Sequence, residues 1–156
     1  MPTQDDTIEV TTEAEDYTPN RASRRSKKPG AGGRATLDLL RNKRPREREI
    51  SLKIPGTEGD TEATFLFRSI GAKEWELLVG KHKPTNAQRA DGQPFNIDTF
   101  PPALLARVCV EPQLTEDDWM EIWTSPDWNR GEISDFYQAA VDLCTTGFDV
   151  PFSASV

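Results

Sequence analysis

A chain of 156 residues is long enough for one core and too short for two domains of ordinary size, and an apolar fraction of 35% is low even for one. The net charge of −7 is segregated: residues 1–20 carry six acids and no base, residues 21–48 carry eleven bases and two acids, and the remainder carries eight bases and eighteen acids. No apolar run approaches a membrane span and the acidic start lacks a signal-like apolar stretch, so the composition points away from membrane-embedded and exported classes.

In chain order, residues 1–34 are predicted to be a disordered arm, acidic then basic. Besides Met1, the large apolar residues from Met1 to Arg34 are Ile8, Val10 and Tyr17, too few to offset ordering entropy by burial. The run Arg24-Arg25-Ser26-Lys27-Lys28 resembles a nucleic-acid or import patch but lacks interleaved aromatics, and Pro29-Gly30-Ala31-Gly32-Gly33 follows no strand and lacks a phosphate-loop ending. The basic block can fold back on the acidic body or meet an anionic partner, and salt would weaken either contact.

Thr36 caps a short predicted helix with Leu37 and Leu40 on one side, stopped by Pro45; so short a helix needs its leucines docked to persist. The period then changes to two. Ile50, Leu52 and Ile54 alternate with polar residues, and after the loop Pro55 to Asp60 so do Ala63, Phe65 and Phe67, which predicts a β-hairpin with a six-residue loop. Its Phe65 and Phe67 face has to lie on the helices that follow, because an isolated hairpin is barely stable, while its edges stay open to another chain or are blunted by Arg48, Glu49, Lys53 and Glu62.

Four helix starts follow. Ile70-Gly71-Ala72-Lys73-Glu74-Trp75 has Gly71 at the cap, with Trp75, Leu78 and Val79 as its stripe; residues 81–97 read as a polar loop. Phe100-Pro101-Pro102 places proline in a first turn, with Leu104, Leu105 and Val108 behind it and Pro112 closing the helix. Thr115 with Asp118 and Asn129 with Glu132 form two capping boxes, with Leu114 stapling onto Trp119 and Trp128 onto Ile133. Trp119, Ile122 and Trp123 line the first of these helices; Ile133, Phe136, Tyr137, Ala140, Val141 and Cys144 line the second and longest, ended by Gly147. The fold expected is mainly α within an α+β class: a short hairpin and a compact bundle of about four helices over residues 35–147, with a flexible tail at 148–156.

Catalytic chemistry is sought and not found, so no catalytic, cofactor or metal residue is expected. The single histidine, His82, stands between Lys81 and Lys83 and reads as a solvated residue at a helix C-terminus. Glu116, Asp117 and Asp118 occupy a first helical turn, where capping and the helix dipole call for acids. Cys109 and Cys144 fall at apolar helical positions and are expected to be free thiols. The tryptophans at 75, 119, 123 and 128 serve a core or an interface; Trp119, Trp123 and Phe136 are the candidates for lining a partner-binding groove.

The succession Thr36-Leu37-Asp38-Leu39-Leu40, the hairpin, Ser69 to Trp75, Phe95 to Ala106 and Trp123 to Glu132 resembles the tail assembly chaperones of long-tailed actinobacterial phages, over residues 34 to 144. The resemblance implies a non-enzymatic protein of the host cytoplasm that binds the helical tape measure protein, keeps it soluble while tail tube protein assembles around it, and is absent from the mature virion. It also implies a longer frameshifted form. Self-association stays open, no membrane partner is implied, and nucleic acid is disfavoured by the acidic body. The competing readings are a nucleic-acid-associated adaptor using residues 21–48 and a structural tail or head connector.

Overall fold

The computed structural model describes residues 33–148, so the acidic block, the basic run at 24–28 and the end of the tail lie outside the described residues. The chain divides into two units, residues 1–42 and 43–156, and the first helix belongs to the first of them. In the first unit, α1 (Leu37–Arg41) is capped by the Thr36 hydroxyl, which accepts from the Leu39 N–H at 3.2 Å, and its leucines are exposed.

The second unit is mixed α and β. Strands β1 (Glu47–Gly56) and β2 (Gly59–Arg68) form an antiparallel hairpin in continuous register from Glu47↔Arg68 to Gly56↔Gly59, so only Thr57 and Glu58 make the turn. The expected six-residue loop is shorter because pairing continues through Pro55 and Asp60. Gly59 adopts φ +123°, a conformation that disfavours other residues, and a Cβ at Gly56 would meet the Gly59 carbonyl at 3.0 Å. A third strand, β3 (Cys109–Glu111), pairs antiparallel with β2 through Leu66↔Glu111 and Phe67↔Cys109. The sequence predicts helix up to Pro112; instead the chain leaves the helix after Val108, and Cys109 turns its side chain into the core.

The helices of this unit are α2 (Ala72–Lys81), α3 (Asn86–Ala90), α4 (Phe100–Val108), α5 (Glu116–Thr124) and α6 (Arg130–Thr145). With three strands and six described helices, counting α1, "mainly α" and "about four helices" fit only loosely. α4 is central: Phe100, Pro101, Pro102, Ala103, Leu104, Leu105 and Val108 are all buried, and it packs on α2, α5 and α6. A helix apolar nearly all round belongs inside. α6 contributes Ile133, Phe136, Ala140 and Leu143, one face at helical spacing, and Phe136 meets Phe65 of the hairpin edge to face at 5.2 Å. Both Thr115–Asp118 and Asn129–Glu132 close as full capping boxes. α3 lies inside the segment read as loop; its Thr85–Gln88 capping box holds a helix without an apolar stripe.

Candidate functional site

The segment between α3 and α4 has few apolar residues, and polar contacts fix its path. The Asn96 N–H donates to the His82 carbonyl at 2.7 Å, and the Asn96 side-chain oxygen accepts from the N–H groups of Asp98 (2.9 Å) and Thr99 (3.3 Å). Gln88 Nε2 donates to Asp98 Oδ2 at 3.0 Å. His82 Nδ1 lies 2.9 Å from Thr99 Oγ1, its Nε2 is 3.8 Å from Glu116 Oε1, and its ring faces the edge of Phe100. His82 is therefore a half-buried tie between α2, α4 and α5 and not the solvated residue expected from its lysine neighbours; the contact with Thr99, seventeen positions away, is what the local sequence does not contain.

Held in this way, the segment forms one wall of an open groove of about 570 Å³. Phe95 and Ile97 come from the segment, Pro101 from the start of α4, Trp123 from the end of α5, Trp128 from the connection to α6, and Ile133 and Tyr137 from α6. Phe95 stacks on Phe100 at 4.1 Å, which ties the wall to the core, and Trp123 meets Tyr137 edge to face at 6.3 Å. Ile97 is 43% exposed, an aliphatic side chain left to solvent at the rim, where Asp98 and Arg130 provide one charge of each sign. Burial pushes the Tyr137 hydroxyl up to about 12, so it stays a neutral donor at any ordinary pH. Apolar walls with a few polar groups at the rim suit the apolar stripe of a helix or an extended segment.

Of the three side chains expected to line such a groove, Trp123 does. Trp119 is 1% exposed and Phe136 3%, and the two rings pack edge to face at 5.5 Å inside the core. Trp119 and Trp123 sit four positions apart on one face of α5; the first is buried in the core, whereas the second, one turn later at the end of the helix, is half-buried at the margin. Trp119 Nε1 has no hydrogen-bond partner among the described residues. Phe95, Ile97, Pro101, Trp128, Ile133 and Tyr137 were not anticipated as groove residues; the isolated apolar pair Phe95 and Ile97 in a polar stretch was the available signal.

Among the described residues, no group of three or more His, Cys, Asp or Glu is placed to hold a metal ion, and no helix is long and apolar enough to cross a membrane. Cys109 and Cys144 are free. Burial pushes the Cys109 thiol up to about 11, against a smaller lowering from a backbone hydrogen bond at Glu111, and burial likewise raises that of Cys144. Asp118 is held below its ordinary value because the backbone N–H and the hydroxyl of Thr115 both donate to its carboxylate. Comparison with protein-family models, with curated proteins and with solved structures finds no match.

Proposed function

We propose that this chain is a tail assembly chaperone of a long-tailed actinobacterial phage, acting in the host cytoplasm on the tape measure protein during assembly of the tail tube. The observation that carries the reading is the groove: apolar side chains from five separate parts of the chain converge on one open concavity whose wall is fixed by hydrogen bonds. A long helical client exposes apolar stripes before its tube forms around it. A chaperone for it needs an apolar receiving surface and enough net charge to stay dissolved when unoccupied. The body supplies the second requirement with eighteen acids against eight bases beyond residue 48. The order of elements from Thr36 to Glu132, which carries the family resemblance, adds support from outside the groove.

Co-expression with the tape measure protein of the same phage tests this reading. The expected outcome is that the client moves from the insoluble to the soluble fraction and co-purifies with this chain. A client that stays insoluble while the chain elutes folded and alone, or with nucleic acid, would overturn it.

A further inference from the structure

The sheet ends at β1. Its strand order is β1-β2-β3, and among the described residues no backbone group pairs with the outer side of β1. Which groups are free follows from the ladder. The Ser69 N–H donates to the Arg46 carbonyl at 2.8 Å, which makes those two a hydrogen-bonded pair in line with the register that begins at Glu47↔Arg68. Hydrogen-bonded and non-hydrogen-bonded pairs alternate in an antiparallel ladder. Arg48, Ile50, Leu52 and Ile54 therefore direct their groups to β2, whereas Glu47, Glu49, Ser51 and Lys53 direct theirs outward. Pro55 falls on the outward parity, where its missing N–H removes nothing from the hairpin.

A groove of about 240 Å³ runs along this edge. The hairpin contributes Leu52, Lys53, Ile54 and Pro55 to it, and β2 contributes nothing. Successive strand residues point to opposite faces, so a wall made of four consecutive residues of one strand is its edge and not either face. The opposite wall presents the half-buried ring of Trp128, packed over the buried Phe136, with the carboxylates of Asp127, Glu132 and Asp135, against the single ammonium of Lys53. Asp127 and Asp135 have no ion-pair partner among the described residues, and Glu132 accepts only the Asn129 N–H of its capping box.

We propose that this edge and groove receive one extended, lysine- or arginine-bearing polypeptide segment of a partner protein as a fourth strand. Unpaired N–H and C=O groups at alternate positions are matched by another main chain. The sign of the wall selects a cationic one, whose side-chain stems lie on Trp128 while their heads reach the carboxylates. An acidic strand or a nucleic acid meets the wrong charge. The inference does not depend on the tape measure reading, since it specifies an extended segment at the hairpin and not an apolar stripe in the larger groove.

The test uses the full chain and amide hydrogen exchange, with an end-blocked peptide of alternating Lys and Val as probe. The amides of Glu47, Glu49, Ser51 and Lys53 are expected to exchange freely in the unbound chain and to slow by about tenfold or more when the peptide is added, with those of Ile50, Leu52 and Ile54 protected throughout. Asp127→Asn with Asp135→Asn should weaken the peptide by roughly tenfold without altering the melting temperature by more than a degree or so. Equal binding of a Glu and Val peptide, or of the Lys and Val peptide N-methylated on its pairing side, would overturn the proposal. So would edge amides already protected in the unbound chain, which would assign the edge to the chain's own segment or, if sedimentation shows a dimer, to a second copy.

Discussion

Trp119 and Trp123 lie one turn apart on the same face of α5 and are expected to fail differently. Trp119→Ala removes the largest fully buried side chain and should cost about 3–5 kcal/mol, enough to unfold many domains of this size. Trp123→Ala removes a half-buried ring at the groove and should cost about 1 kcal/mol in thermal or urea unfolding while abolishing client capture in the co-expression assay. Equal losses of stability would return Trp123 to the core. The cysteine at 109 makes a separate prediction. Its thiol ionises near its ordinary value of 9.0 in the unfolded chain and only at about 11 in the folded one, so the folded state binds more protons between those values. The stability it contributes is intact below pH 9 and is lost as pH rises toward 11; Tyr137 extends the same loss toward 12. Urea midpoints measured from pH 8 to 11 should fall, and less steeply in Cys109→Ala than in the parent. A flat profile would show that the thiol is exposed.

At the scale of elements, the capping boxes set where α5 and α6 begin, and each is testable alone. Thr115→Ala and Asn129→Ala should each cost about 1 kcal/mol in equilibrium unfolding, because each leaves an N–H of the first turn without its acceptor. Asp118, held low by Thr115, contributes stability above its unfolded value near pH ~4. That contribution is lost as pH falls through the lower folded value, so Thr115→Ala should flatten this part of the acid limb. These boxes were legible in the sequence because capping is local chemistry, three residues apart. So was the hairpin, whose period-two alternation carries Phe65 and Phe67 to the core side. Strand β3 was not legible: Cys109 continues the apolar stripe of Leu105 and Val108 at helical spacing, and only pairing with Leu66 and Phe67, more than forty positions earlier, makes Cys109 to Glu111 a strand. Helix α3 was missed for the opposite reason, since Asn86 to Ala90 carries a capping box and no stripe. The groove was legible in one side chain, Trp123. Its other wall depends on His82, Gln88 and Asn96 holding a loop in place, and spacing alone does not reveal such contacts.

At the scale of the whole molecule, charge and apolar surface divide the work. In the proposed chaperone role, the acidic body would keep an unoccupied groove in solution, and the groove would receive the client's apolar stripe. Association dominated by apolar burial should persist at high salt, whereas a complex held through the basic block of residues 21–48 should dissolve as salt screens it. The most direct measurement is hydrogen exchange on the full chain with and without the co-expressed tape measure protein. The account expects new protection in the walls of the larger groove, over residues 93–98 and from Trp123 to Tyr137, with the core of α4 unchanged. Protection confined to the basic block, or no protection in those walls with the client bound, would contradict it.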